Sequence, residues 1–264
     1  MKKTSRLAGA AFILAVIAAA CAPTPTGTTV NFKFDNAGLG APASTTNSGT
    51  GTVTSALVGT GAVTTVQSIP GQGSRADFPN VGSSFALVKV DNDPAAGVDY
   101  LNPGAQDFEF GADVNLDSAN TGTNDNGNNV IQRGRADANT SQYKLEIDAN
   151  GVAKCAVRDS LTAPSATVIA TTPVNTVNAG TDFKIRCERV SNTVTIKVTN
   201  LSTNATNTWD QTGTIGALDF TPSAGTNNFE PSLSVGGKLN NNGTIAGSAD
   251  QFNGTIDNAV LIIG

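Results

Sequence analysis

The sequence predicts an all-β fold, an antiparallel β-sandwich of the jelly-roll type. Apolar and polar residues alternate with a period of two in many short stretches, which is typical of strands with one buried face. Glycine, asparagine and proline separate these stretches at the intervals expected of turns, and no segment has the spacing of an amphipathic helix. Charged residues make up only 14% of the chain, and its many threonines and asparagines favour strands and turns over helices.

The individual strands follow from this alternation. It is strictest over 108–117, which predicts the clearest strand, and Asn150-Gly151 is a strong hairpin signal. No change of composition after Thr29 marks a second domain. In chain order, strands are predicted over 30–35, 53–58, 63–69, 84–90, 108–117 and 130–133, from Tyr143, around Cys155, and over 182–190, 193–199, 231–235 and 252–263.

Residues 1–20 are predicted to be an export signal. Basic residues precede an apolar run that is shorter than the roughly 20 residues a spanning helix needs. Ala18-Ala19-Ala20-Cys21 resembles a bacterial lipobox, which predicts lipidation of Cys21, a tether over 21–29 and one domain over 30–264. The protein is then expected to be exported and anchored in the cell membrane, facing outward. Cleavage after Ala22, which would release a secreted protein, is the alternative.

The charged and titratable residues narrow the classes of partner and reaction. Lys and Arg number 16 against 21 Asp and Glu, giving a net charge of −5, so a nucleic-acid partner is not expected. The chain contains 0 histidines. A Ser-His-Asp or Cys-His catalytic arrangement and any His-ligated metal site are therefore excluded.

Cys155 and Cys187 occupy strand positions that share the parity of buried residues. Each alternates with charged neighbours, so a period of two places both sulfur atoms on a buried face. Whether Cys21 is lipidated or removed with the signal, these two cysteines remain as an even pair in an exported chain. We therefore expect neighbouring strands tied by a disulfide.

The chain from about Gly104 to Gly264 resembles the LamG-like (laminin G) domains of secreted actinobacterial proteins, a branch of the concanavalin A-like jelly-roll group. The resemblance implies that the paired cysteines lie on strands of the same sheet and that the final strand closes the sandwich. The sequence departs from the family pattern in lacking the usual Trp-His before the second cysteine. The matching segments are 107–110, 130–134, 143–148, Cys155, Arg186-Cys187, 234–238 and 252–258.

Glu146-Ile147-Asp148 is similar to the strand motif of family 16 glycoside hydrolases, which share the jelly roll. Those enzymes place a nucleophile, a helper and an acid/base on alternate residues of one strand, and retaining hydrolysis needs two carboxyl groups about 5–5.5 Å apart. Here the third position falls on Ala149-Asn150-Gly151, which offers no carboxyl group. We therefore predict a non-enzymatic protein with no catalytic residue and interpret Glu146 as part of a solvated polar face.

Two candidate binding sites remain. Many laminin G domains hold calcium at the rim of the sandwich, so the resemblance points to an oxygen-rich loop that supplies Asp117, Asp125, Asn126 and Asn128 as calcium ligands. Trp209 is the single tryptophan of the chain and lies beside Asp210 in a polar region. A flat apolar ring with a polar edge can stack on a sugar, so these two residues are the candidate ligand-binding pair.

We expect an exported, non-catalytic surface module that binds a glycan or an extracellular protein, with a lipid anchor as its link to the membrane. A structural surface protein that assembles with copies of itself is the alternative. A family 16-like glycoside hydrolase is a more remote alternative.

Overall fold

The computed structural model describes residues 27–35, 37–67, 73–79, 84–93, 97–117, 128–135, 140–159, 166–220, 230–246 and 250–264. The predicted signal, Cys21 and most of the tether lie outside these residues. No described residue lies in a helix, so no helix that could span a membrane occurs among them.

All regular structure in the described residues is β-strand, as the sequence predicts. The strands are β1 Thr28–Phe32, β2 Val53–Gly59, β3 Thr64–Gln67, β4 Ser74–Phe78, β5 Ala86–Asn92, β6 Phe108–Leu116, β7 Asn128–Arg133, β8 Gln142–Ile147, β9 Ala153–Arg158, β10 Thr167–Thr171, β11 Asp182–Val190, β12 Thr193–Asn200, β13 Thr206–Thr212, β14 Leu233–Val235 and β15 Gly254–Ile263.

The strands form two antiparallel sheets that pack face to face. The eight-stranded sheet has the order β13-β12-β11-β6-β15-β4-β3, with β1 also paired to β15, and the seven-stranded sheet has the order β10-β9-β8-β7-β14-β5-β2. The chain changes sheets repeatedly, for example after β5, β6, β10, β13 and β14. These crossings between two antiparallel sheets confirm the predicted all-β, antiparallel β-sandwich of the jelly-roll type.

The core lies between the sheets and is built from alternate residues of each strand. In β6 the apolar residues point inward and the charged residues point outward, so its burial alternates along most of its length. Phe108 and Phe110 of this strand pack against Tyr143 of β8, with ring centroids 5.6 and 5.2 Å apart. Burial of such large rings is the main source of stability at this contact.

A buried arginine closes the core beside this aromatic cluster. Arg133 is 1% exposed, and its guanidinium donates to both carboxylate oxygens of Asp99 at 3.1 and 2.8 Å. It also donates to the carbonyl of Pro231 at 2.9 Å and lies 4.3 Å from the ring centroid of Phe220. The charge is therefore paired, hydrogen-bonded and covered by an aromatic face, which makes its burial tolerable.

The disulfide joins the two sheets, which corrects the prediction that both cysteines lie in one sheet. Cys155 belongs to β9 of the seven-stranded sheet and Cys187 to β11 of the eight-stranded sheet. Their Cα atoms are 5.7 Å apart, whereas packed sheets usually lie about 10 Å apart. A period of two fixes which residues point inward, and inward-pointing residues of facing sheets can meet across the core. The sandwich narrows at this point, and the bond ties its two layers together.

The first strand starts earlier than the alternation suggests. β1 begins at Thr28, within the predicted tether, and pairs with β15 over its whole length. It ends before Phe34, whose φ of 57° takes the chain out of the extended conformation. The N-terminal segment is therefore held in the sheet as soon as the described residues begin.

Candidate functional site

The outer face of the seven-stranded sheet carries the polar residues that form the candidate site. In β8, Tyr143, Leu145 and Ile147 point into the core, so Lys144 and Glu146 point away from it. The register places Glu146 of β8 beside Lys154 of β9, and Lys154 beside Thr171 of β10. The sequence pattern predicts the outward direction of Lys144, Glu146 and Lys154, and the register brings them together with Thr171 on one face.

A segment that follows β14 covers part of this face. Gly236 begins the segment with a φ of 83°, a conformation that favours glycine. Farther along, the Asn129 backbone N–H donates to the carbonyl of Asp250 at 3.0 Å. The side-chain amide of Gln251 donates to the carbonyls of Ala86 and Gly236, both at 2.9 Å. These buried bonds hold the segment against the sheet and fix the positions of Lys238 and Asp250.

The sheet and this segment together enclose a polar cleft of about 480 Å³. Such a volume is within the range of small-molecule binding sites. The prediction that Glu146 belongs to a solvated face is wrong, because the residue is 9% exposed and lies in the wall of this cleft. The residues that line the cleft are Lys144, Glu146, Lys154, Ile169, Thr171, Lys238 and Asp250.

Ion pairs fix the charged groups of the cleft. Lys144 pairs with Glu146, and the Lys238 ammonium lies 3.1 Å from a carboxylate oxygen of Asp250. Lys154 lies 3.4 Å from a carboxylate oxygen of Asp148. Each cation therefore has an anion beside it, and the cleft presents donors and acceptors in alternation without a large net charge. This arrangement suits a neutral ligand that carries many hydroxyl groups, because each hydroxyl both donates and accepts.

Asp148 has a structural task that the family 16 motif does not assign to it. Its carboxylate accepts the backbone N–H groups of Asn150 and Val152 at 2.9 and 3.1 Å, which closes the turn between β8 and β9. Asp148 is thus part of the hairpin signalled by Asn150-Gly151, and Gly151 has a φ of 68° there. Of the carboxylates in the predicted motif, Glu146 is the one that lines the cleft.

The structure separates Trp209 from Asp210. Adjacent residues of a strand point to opposite faces, and Trp209 lies opposite the buried Ile196 while Asp210 lies opposite Thr195. The indole is half-buried and packs against the core at the edge of the eight-stranded sheet. The carboxylate of Asp210 is exposed on the outer face. The two side chains therefore do not form one binding surface.

The structure describes two of the four predicted calcium ligands, Asp117 and Asn128. Asp125 and Asn126 lie outside the described residues. Asn128 is 3% exposed, donates to the Ile147 carbonyl at 3.2 Å and accepts the Asn253 backbone N–H at 3.0 Å, so its amide holds strands together. No group of three or more His, Cys, Asp or Glu side chains suited to a metal occurs among the described residues.

Asp117 nevertheless has an acidic neighbour. Asp77, on β4, lies close enough that burial and the charge of Asp117 together raise the pKa of its carboxyl group above the usual value. Asp117 and Asp77 therefore form an acidic pair, whereas the amide of Asn128 is occupied by strand contacts. Calcium binding at this rim stays a prediction.

Another perturbed carboxyl group lies on β15, away from the cleft. Asp257 is 7% exposed, and burial is the main reason that its pKa is raised to about 7. The backbone N–H of Asn258 donates to it at 2.7 Å and opposes this shift, while the charges of Asp35 and Asp113 add to it. The group lies at a bulge in β15, where the register with β6 shifts between Asp257 and Val260.

Sequence reasoning missed Lys238, Asp250 and Lys154 as lining residues of one cleft. The alternation in β9 marks Lys154 as outward-facing, but the cover that makes it part of a cleft comes from a distant segment. The one local sign of that cover is Gly236-Gly237, a turn signal placed just before Lys238.

No protein-family model and no curated protein matches the sequence. Among solved structures, the chain is similar to the enzymatically active domain of tailspike protein 2 of bacteriophage CBA120, with 16% identity and a TM-score of 0.47 over 86% of this chain. It is similar to the LG1-3 region of the laminin alpha2 chain, with 10% identity and a TM-score of 0.37 over 90% of this chain. This chain spans 30% of the length of each of those two structures.

A third similar structure is that of the basic winged bean lectin with Tn-antigen. It has 10% identity and a TM-score of 0.42, over 89% of this chain and 100% of the lectin. Similarities this weak concern only the general architecture, so the function has to be argued from the cleft.

Proposed function

We propose that the protein is a non-catalytic binding module that takes a glycan in the polar cleft of the seven-stranded sheet. The observation that carries this proposal is the set of paired ammonium and carboxylate groups that line a cleft of about 480 Å³. Ion pairing pre-orients these groups, so a ligand does not have to order them on binding. Neighbouring hydroxyls of a sugar ring match such alternating donors and acceptors.

The cleft also offers an apolar contact. Ile169 lines it and is 46% exposed, although it is a large hydrophobic residue on a strand. Sugar rings have C–H faces as well as hydroxyl edges, and binding sites commonly combine apolar walls with a few polar groups. Ile169 thus complements the charged wall formed by Lys144 and Glu146.

A glycan array tests the proposal. The wild-type protein should be retained by a limited set of glycans, and Lys154→Gln should weaken that retention roughly tenfold to a hundredfold, because it removes a charge-assisted hydrogen bond. Lys184→Gln is the matched control, since Lys184 is exposed on the outer face of the other sheet. Absence of glycan-specific retention, or equal loss in both variants, would reject the proposal; retention of an extracellular protein instead would point to the other predicted class of ligand.

We further propose that the protein is exported, with a lipid anchor at Cys21 and a LamG-like domain of the bacterial, actinobacterial type. A buried disulfide between the sheets supports export, because such bonds form and persist in oxidising compartments. The lipobox and the resemblance support the finer statements. Mass spectrometry of the mature N-terminus provides the test: lipidated Cys21 is expected, and a free protein that starts at Pro23 would contradict anchoring.

Glycan hydrolysis is the second candidate, favoured by one observation. Glu146 and Asp250 both line the cleft, so a second carboxylate is available although the strand motif lacks one. Release of reducing sugar from an array-selected glycan, abolished by Glu146→Gln, would support this activity. Retention of the glycan without any release would leave the binding module as the function.

A further inference from the structure

β13 forms one end of the eight-stranded sheet and leaves its outer edge unpaired. It pairs with β12 through an unbroken register that runs from Thr206 opposite Thr199 to Thr212 opposite Thr193. No strand among the described residues pairs with its other edge. The backbone groups along that edge are therefore available to another chain.

This edge has few of the features that prevent strands from pairing. Natural sheets protect their edges with charged side chains (lysine above all), proline, bulges or a covering segment. The sequence of β13, TNTWDQT, contains no lysine or proline and a single charged residue, Asp210, and its register with β12 has no bulge. All of its side chains except that of Trp209 are exposed, so no described segment covers it.

The sequence of β13 is complementary to itself when read in the opposite direction. If two copies pair antiparallel with Trp209 opposite Trp209, then Thr206 faces Thr212 and Asn207 faces Gln211 of the second copy. Thr208 faces Asp210. Hydroxyls, amides and a hydroxyl–carboxylate pair thus meet across the seam, and no two like charges lie directly opposite each other.

We propose that β13 pairs with β13 of a second copy of this chain, antiparallel and centred on Trp209. The two eight-stranded sheets then form one continuous sheet with a two-fold axis between the copies. Such an isologous contact closes on itself, so the expected assembly is a dimer and not a filament.

Side chains on the outer face are already held in position for this pairing. The hydroxyls of Thr199 and Thr206 lie 2.7 Å apart, and those of Thr193 and Thr212 lie 3.0 Å apart. Across the seam, Thr206 continues towards Thr212 of the second copy. At each end of the seam, two threonines of one copy and two of the other then form a row across β12 and β13 of both copies. Hydrogen bonds already restrict these side chains in the single copy, so pairing costs little further conformational entropy.

On the inner face of β13, the side chain of Trp209 explains why the two-fold axis passes through this residue. The indole packs partly on the core of its own copy and is half-exposed at the edge of the sheet. In the dimer it meets the indole of the second copy, which covers the remaining apolar surface of both rings. The cleft lies on the other sheet, so the dimer does not depend on the proposed function.

Sedimentation and tryptophan fluorescence of the full-length chain test the dimer, in one mild detergent buffer so that the N-terminal segment contributes equally throughout. Trp209 is the only tryptophan, so its emission reports on the seam. We expect a monomer–dimer equilibrium, with emission that shifts to the red on dilution as the indole becomes exposed. A monomer throughout the concentration series would overturn the proposal.

Thr208→Asp should raise the dissociation constant roughly tenfold, because it places two carboxylates opposite each other twice across the axis. The double variant Thr208→Asp/Asp210→Thr restores a neutral partner at each position and should restore the affinity. Thr167→Asp is the matched control, since Thr167 is exposed on the edge strand of the other sheet. Failure of the double variant to recover, or a loss caused by Thr167→Asp instead, would refute the proposed register.

Discussion

Breaking the bond between Cys155 and Cys187 should lower the free energy of unfolding by an amount that can be estimated from the structure. The bond closes a loop with a sequence separation of 32 and lies fully buried between the sheets. In the chain-entropy model, loss of a cross-link that closes a loop of this length lowers the free energy of unfolding by about 3.7 kcal/mol at 25 °C, because the unfolded chain gains conformational entropy. For a domain of this size, that loss lowers the melting temperature by roughly 7–15 °C.

Calorimetry on three samples checks this estimate. The oxidised wild-type protein should melt highest, and the same protein with a strong reductant should melt lower by the stated amount. Cys155→Ala/Cys187→Ala should melt at or below the reduced protein, because truncation of buried side chains also leaves small cavities. The reductant should have no effect on this variant, which controls for its other actions.

Equal melting temperatures for oxidised and reduced wild-type protein, within about 2 °C, would refute the reasoning. In that case the cross-link would restrict neither the unfolded chain nor the contact between sheets. Peptide mapping without reductant should accompany the experiment, and it should recover Cys155 joined to Cys187.

Three further predictions concern charged groups. Because burial raises the pKa of Asp257 to about 7, its stabilising contribution is complete below pH of about 4 and is lost as pH rises through about 7. Urea titrations should show that the stability of Asp257→Asn relative to the wild-type protein rises between pH 5 and pH 8 by about 2–3 kcal/mol. An unchanged pH dependence would contradict this. Arg133→Met should destabilise the fold by about 3–5 kcal/mol in chemical denaturation, and Arg133→Met/Asp99→Asn should recover part of that loss. We also propose calcium binding near Asp117, so millimolar calcium should raise the melting temperature of the wild-type protein but not of Asp117→Asn.

Strands with one strictly buried face could be predicted closely from the sequence. The alternation over 108–117 corresponds to β6, Phe108–Leu116, because each inward residue is apolar and each outward residue is polar or glycine. β4, β10 and β13 were not predicted. β4 lies inside its sheet but is only five residues long, and just two of them, Ala76 and Phe78, are buried. β10 and β13 lie at the ends of sheets, where few side chains reach the core, and β13 contributes only Trp209 to it. Edge strands lose the pattern on which such predictions depend.

The location of inward-facing residues could be predicted, but not the sheet to which they belong. The pattern around Cys155 and Cys187 is the same for neighbouring strands and for strands that face each other. The choice depends on the order of the strands in each sheet. The pairing of β8 with β9 is signalled locally by Asn150-Gly151, but the pairing of β11 with β6 joins segments far apart in the chain. The sequence around Cys187 does not indicate that second pairing.

The cleft could likewise be predicted only in part from the sequence. The outward positions of Lys144 and Glu146 follow from their parity, but the cleft exists because Lys238 and Asp250 lie over the same face. That contact joins segments more than eighty residues apart. Only the glycine pair before Lys238 indicates locally that the chain turns there.

Calorimetric titration of an array-selected glycan into wild-type protein, Lys154→Gln and Lys184→Gln tests the central claim most directly. If the ligand lies in the cleft of the seven-stranded sheet, Lys154→Gln should bind roughly tenfold or more weakly, and Lys184→Gln should bind as the wild-type protein does. Equal affinity of wild-type protein and Lys154→Gln, or a loss confined to Lys184→Gln, would contradict the claim.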